Sequence, residues 1–165
     1  EFVKALTPLL AEFPRLHLLM VGDPTLNEED AALYKTEVDA LIDAVPEKAR
    51  IHRFGHQSEF LEPLSCVDLL ILPSYMESYS ILIAHSFSLG IPVVSTSSGG
   101  TPDLVSPPLR GWLVPPRTVD ELRQVARTIA MNPRLIGEKT QACIDYAKAN
   151  HSHTAVVNRF NEIYR

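Results

Sequence analysis

Val67-Asp68-Leu69-Leu70-Ile71-Leu72, then Pro73-Ser74-Tyr75-Met76-Glu77-Ser78-Tyr79-Ser80, then Ile81 to Leu89, then Gly90-Ile91-Pro92-Val93-Val94: the reading of this stretch decides the fold. The first six residues form a nearly continuous apolar run of strand length. Strands buried on both faces of a parallel sheet read this way. Pro73 to Tyr79 is a polar loop carrying one acid, Glu77. Ser80 is placed to cap a helix over Ile81–Leu89, because its hydroxyl can accept from an amide of the first turn. Gly90 ends that helix, and Pro92 follows as a stop signal. Val93-Val94 is the next strand. In open α/β sheets ligands bind beyond the carboxyl ends of the strands, so the loops after Leu72 and Val94 are the places to look for function.

Working outward, the upstream sequence repeats the same grammar. Glu1 to Glu12 carries apolar residues on helical spacing, with Pro8 expected to kink or restart the helix behind a Thr7 cap. Leu16–Val21 reads as a strand ending at Gly22-Asp23-Pro24. Glu28–Val45 reads as a helix with Tyr34, Val38, Leu41, Ile42 and Val45 inward. Its acidic opening, Glu28-Glu29-Asp30, suits the helix dipole better than a metal, since neighbouring helical residues do not converge on one point. Arg50–Phe54 is a strand followed by Gly55-His56, and Ser58 is placed to cap a short helix reaching Cys66.

Downstream, Thr96–Val105 is polar and glycine-bearing, and Arg110–Val114 is a last short strand. Thr118-Val119-Asp120-Glu121 has the capping-box pattern and opens a helix with Leu122, Val125, Ala126 and Ile129 inward. Asn132-Pro133 separates it from a helix running to about Ala149. Ser152 caps a final helix bearing Val156, Val157, Phe160 and Tyr164 on its apolar side. Alternating strands and helices followed by helices alone indicate a doubly wound, Rossmann-like α/β domain with a parallel sheet and a helical C-terminal tail.

The 165 residues suit one domain, 1–165. A net charge of −5 without any basic run argues against a nucleic-acid partner. Cys66 and Cys143 lack metal-type spacing and are expected to be buried, reduced thiols. No signal peptide or membrane-length apolar run is present, which points to a soluble, cytoplasmic protein. No Gly-x-Gly-x-x-Gly follows a strand, so a dinucleotide-dependent oxidoreductase has no support.

An ordered series of segments carries a family resemblance: Phe54-Gly55, Val67–Ser74, Glu77, Gly90-Ile91-Pro92-Val93-Val94, Gly99-Gly100-Thr101-Pro102-Asp103, and Gly111-Trp112-Leu113-Val114-Pro115. Together with Phe13-Pro14 and His151-Ser152-His153, it resembles the C-terminal nucleotide-sugar-binding domain of the retaining, group 1 glycosyltransferases, which pair two Rossmann-like domains in the GT-B fold and act in polysaccharide synthesis. The resemblance implies a nucleotide diphosphate sugar as substrate, no cofactor and no metal. The family's signature is a Glu, seven residues, and a second Glu. Here Glu77 fills the first position, the catalytic one, and His85 stands at the second. The resemblance places Glu77 at the donor sugar and His85 at the ribose. It places Ser78, Tyr79, Ser80 and Ile81 at the phosphates, Gly55 and His56 near the base, and Gly99 and Gly100 close to the ligand.

The family's first strand, its phosphate-gripping Arg and Lys, and its N-terminal acceptor domain have no counterpart in these residues. The chain therefore reads as a fragment of a two-domain transferase, inactive alone. Peripheral membrane association would come through the acceptor domain. Without its first strand the sheet should be split, or an edge should pair with another chain. The alternative function is a non-catalytic nucleotide-sugar-binding or scaffold domain, suggested by His85 and the missing basic pair.

Overall fold

The two cores of the molecule meet on one strand. β4 (Val93–Thr96) is buried along its whole length, and successive side chains of a strand point to opposite faces. Val94 accordingly joins a core with α1 (Phe2–Glu12), β1 (Leu18–Val21), α2 (Glu28–Asp43), β2 (Ile51–Phe54) and α6 (Val119–Met131). Val93 joins a second core with α4 (Ile81–Ser88), α5 (Thr101–Val105) and α7 (Arg134–His151). This computed structural model describes residues 1–23, 28–106 and 108–164. The remaining elements are α3 (Leu61–Ser65), β3 (Leu70–Leu72), β5 (Gly111–Val114) and α8 (His153–Ile163). Pro24, in the expected turn after β1, lies outside the described residues.

Among the described residues all strand pairing is parallel, and it falls into two sheets. β1 pairs with β2, Leu18 opposite Ile51, and β3–β4–β5 form the other sheet, with Val94 opposite Ile71 and Trp112. The break expected from the sequence is thus present. It also corrects the expectation that Leu70–Leu72 is buried on both faces: β3 is an edge among the described residues and only half-buried, while β4 is the covered strand.

Several other expectations change. Pro8 does not interrupt α1, which runs unbroken through it. A proline lacks the N–H that would bond the carbonyl four residues back, here Lys4. Arg123 of α6 fills that gap, its Nη2 donating to Lys4 O at 2.8 Å and its Nε to Ala5 O at 3.2 Å. Thr7 donates to Val3 O rather than capping. Arg50 performs a related service at the other end of α1, donating to the carbonyls of Leu10, Phe13 and Leu16.

The capping box at Thr118 does not form. α6 starts there, but the Thr118 hydroxyl donates to Pro115 O instead. α3 begins at Leu61, not after Ser58, and the expected loop after β4 contains the short helix α5. Tyr34 is exposed, leaving Ile42 as the buried anchor of α2. The apolar side chains of α8 are exposed too, Phe160 at 56%. Cys143 is buried, which pushes its thiol up to about 11, whereas Cys66 is exposed, contrary to expectation; both are free. Among the described residues no helix is long and apolar enough to cross a membrane.

The Arg123–Pro8 compensation has a measurable consequence. Arg123→Met should lower the unfolding free energy by about 0.5–1.5 kcal/mol, the net worth of a hydrogen bond. In a Pro8→Ala background, where residue 8 regains its N–H, the loss should shrink. Urea denaturation of the four proteins checks this; an equal loss in both backgrounds would refute the compensation.

Candidate functional site

The loop between β3 and α4 is held from three sides. Beneath it, the Thr96 hydroxyl at the end of β4 donates to Ser74 O, and Ser95 Oγ donates to Leu72 O at 2.8 Å. At its far end Ser80 is buried, and its Oγ accepts from Ile83 N at 3.4 Å, so the expected N-cap is formed. At the side lies Gly99-Gly100. Gly100 N donates to Ser78 O at 2.9 Å. A Cβ on Gly99 would fall 1.6 Å from Glu77 O, and one on Gly100 would fall 2.4 Å from Ser78 O. Gly99 also has φ +53°, the left-handed region that favours glycine. The glycine pair therefore lets two loops meet backbone to backbone.

The consequence is a fixed presentation of Glu77. Its side chain is half-buried, and among the described residues no hydrogen bond or ion pair engages its carboxylate. Ser78, Tyr79 and Ile81 are exposed around it. The α4 helix starts immediately after, and the amides of a first helical turn lack intrahelical acceptors, which makes that end attractive to anions. His85 lies in the second turn of α4, half-buried, with Phe60 edge-on to its ring at 5.1 Å between centroids.

Gly55 and His56 belong to the other sheet, at the end of β2. Both are exposed, and the Asp23 carboxylate, at the end of β1, accepts from His56 N at 2.7 Å. Phe60, whose ring meets His85, follows four residues after His56 at the head of α3. Thus Glu77, Ser78, Tyr79, Ser80, Ile81, Gly99 and Gly100 lie on two adjoining loops with His85 in the second turn of α4, whereas Gly55 and His56 lie at the end of β2 in the other sheet.

Two further attachments escaped sequence reasoning. The Arg117 guanidinium lies 5.0 Å from the centre of the Tyr75 ring, from a residue with φ +63° after β5. Tyr79 Oη is 2.6 Å from His151 Nε2, at the end of α7. Burial, and then the Tyr146 hydroxyl, pushes the Tyr79 phenol above its usual range. Burial, then Arg110 and His85, pushes the His151 imidazole below its own. The only sequence signal for these contacts was the position of His151-Ser152-His153 after the last strand–helix unit. Seventy-two residues separate Tyr79 from His151, beyond any local pattern. Among the described residues no group of three or more His, Cys, Asp or Glu side chains is gathered to hold a metal ion. A hollow of about 600 Å³ between the end of α7 and α8 is lined by Ser152, Ala155, Asn158 and Arg159, and by none of these loop residues.

Parallel strands, helices on both faces and a polar loop cluster at the carboxyl ends of β3 and β4 define a Rossmann-like domain. Residues 1–132 match the family described as Glycosyl transferases group 1, and the chain belongs to that family. It is 30% identical over 159 residues to D-inositol 3-phosphate glycosyltransferase of Stackebrandtia nassauensis, covering 93% of this chain and 34% of that protein. It is 30% identical over 115 residues to the putative colanic acid biosynthesis glycosyltransferase WcaL of Escherichia coli K12, covering 64% of this chain and 28% of the relative. The chain thus spans about a third of the length of these relatives. Among solved structures it resembles Anabaena Alr3699/HepE in complex with UDP-glucose, with TM-score 0.82, 22% identity, and coverage of 97% of this chain and 44% of that one. It also resembles the C-terminal domain of the group 1 glycosyl transferase LpcC from Francisella tularensis, with TM-score 0.81, 17% identity, and coverage of 92% and 78%. These neighbours share the fold of a GT-B glycosyltransferase domain.

The loop contact predicts a sharp intolerance. Gly99→Ala should cost about 1–3 kcal/mol from backbone strain alone, and more from the collision with Glu77 O. Ala at Gly137, where nothing stands within 4 Å of an added Cβ, should be neutral or stabilising. Thermal unfolding of the two variants checks the contrast; equal melting temperatures would contradict the close approach.

Proposed function

We propose that this chain is the donor-binding half of a retaining glycosyltransferase, moving a hexose from a nucleotide diphosphate sugar to a hydroxyl of a glycan, lipid or other acceptor. The observation that carries this reading is Glu77, half-buried and unengaged among the described residues, on a buttressed loop directly before a helix N-terminus. The relatives, which include a colanic acid biosynthesis glycosyltransferase, and the structural neighbour bound to UDP-glucose point the same way. The activity belongs to the longer, cytoplasmic protein, whose acceptor domain would supply the second substrate and any peripheral membrane contact. The isolated chain is inactive in this reading.

The diphosphate lies at the start of α4, where the amides of the Ser78–Ile81 segment and the helix dipole favour an anion. By helical rise His85 stands roughly 7–8 Å beyond Ser80, alongside the ribose. Its neutral ring nitrogen accepts one hydroxyl proton, where a carboxylate would accept two. Gly55 and His56 face the base, and Gly99-Gly100 holds the loop at the ligand. The acceptor hydroxyl attacks the anomeric carbon on the face from which the diphosphate departs, and its proton passes to the departing diphosphate oxygen. As the C–O bond to the diphosphate breaks, the sugar becomes oxocarbenium-like, and the Glu77 carboxylate stabilises that charge. No covalent nucleophile is required. The departing charge is met by helix amides and basic side chains rather than a metal, and no cofactor takes part beyond the substrate.

His85 in place of a carboxylate favours a second reading, a nucleotide-sugar-binding domain without turnover. Kinetics of the full-length protein with a panel of nucleotide sugars separate the two. Glu77→Gln should lower kcat at least tenfold while changing the donor KM less, because its charge matters most in the transition state. His85→Glu should preserve or strengthen donor binding, and His85→Ala should weaken it about two- to tenfold. Donor binding without transfer by the wild type would select the second reading. Unchanged kcat in Glu77→Gln would remove Glu77 from the centre.

A further inference from the structure

We propose that His151 is a positioning residue for the donor loop, clamping it from behind through the Tyr79 hydroxyl. The inference rests on the donor-site reading above and extends it to the α7–α8 turn, which no part of that reading uses.

The geometry is specific. Tyr79 follows Glu77 by two residues and precedes the Ser80 cap, yet it is half-exposed, so packing alone does not hold it. Its hydroxyl makes a 2.6 Å hydrogen bond to His151 Nε2, with the two rings edge-to-face at 6.0 Å, and the Tyr146 hydroxyl stands beside it. The other ring nitrogen of His151, Nδ1, is shielded and has no hydrogen-bond partner among the described residues. The bond to Tyr79 is therefore the polar attachment of this imidazole, and a histidine serving only as a surface residue would not leave a nitrogen stranded. The ring is itself fixed. Tyr146, one turn earlier on α7, lies edge-on to it at 5.3 Å. The buried Arg110 guanidinium covers the Tyr146 ring at 3.8 Å while donating to Leu104 O at 2.8 Å. A rigid stack thus runs from the start of β5 through Tyr146 and His151 to the loop.

The charge environment agrees with a neutral clamp. The ring is faced by Tyr79 from the loop, His85 from α4, Tyr146 from α7 and Arg110 from before β5, with Arg159 of α8 near the Tyr79 hydroxyl. None of these is an anion. Burial first, and then Arg110 and His85, disfavours a charged imidazole. A neutral ring shares one proton with the phenol, and the loop keeps a single setting in which Glu77 and the first amides of α4 face the donor together.

The test uses the full-length protein and two readouts. Without ligand, hydrogen exchange of the 77–83 segment should quicken severalfold in His151→Ala and in Tyr79→Phe. With nucleotide sugars, both variants should raise the donor KM about two- to tenfold, His151→Ala with kcat little changed, and the double variant should be no worse than either single one. His151→Gln, which keeps a polar partner within reach of Tyr79, should restore most of the loss. Unchanged exchange and unchanged KM in His151→Ala, or strictly additive effects with Tyr79→Phe, would overturn the clamp. Quickened exchange in a protein whose wild type binds no nucleotide sugar would instead overturn the donor reading while upholding the tie between loop and α7.

Discussion

A side chain at position 99 would place its Cβ 1.6 Å from the carbonyl oxygen of Glu77, and everything proposed for this site depends on that closeness. Two loops leave the carboxyl ends of neighbouring parallel strands and must converge without side chains between them. Glycine at both 99 and 100 permits it, and the amide of Gly100 then satisfies Ser78 O. The Thr96 hydroxyl reaches the same loop one step lower, at Ser74 O. A loop anchored in this way pays its ordering cost on folding, so a ligand meets groups already in place. Glu77 is held at that spot with no partner for its carboxylate among the described residues, which is what the proposed donor site requires of it.

The rest of the molecule supports the loop in layers. β4 buttresses it through Thr96, and β4 is covered on both faces by separate cores, Val94 on one and Val93 on the other. α4 packs its buried side chains Ile83 and Phe87 against the second core, which fixes the axis along which the first-turn amides point. Two arginines do quiet structural work: Arg123 supplies the donor that Pro8 cannot, and Arg110 closes the end of α5 while bracing Tyr146. α8, by contrast, leaves Phe160, Ile163 and Tyr164 in solvent.

Much of this was legible in the residues. The apolar run before Pro73, the Ser80 cap and Gly90 with its φ of +75° specify strand, helix start and helix stop by local chemistry alone. The loop cluster followed from where parallel strands end. What was not legible depended on partners far along the chain. Pro8 reads as a helix breaker until Arg123, over a hundred residues later, is seen to donate to Lys4 O. Thr118 and Glu121 fit a capping box, but the hydroxyl found Pro115 O first. Tyr34 and Phe160 lie on regular apolar stripes whose burial no period can guarantee, and Cys66 turned outward at the end of a helix shorter than expected. Tyr79 and His151 meet only because α7 folds back along α4.

The central claim is that the buttressed loop after β3 and the first turn of α4 form the donor site. Hydrogen–deuterium exchange of the full-length protein, with and without a saturating nucleotide sugar, tests it directly. The account predicts protection concentrated in residues 74–85 and 97–101, with α8 unchanged. Saturation that protects other segments while leaving these two at their unliganded rates would contradict it.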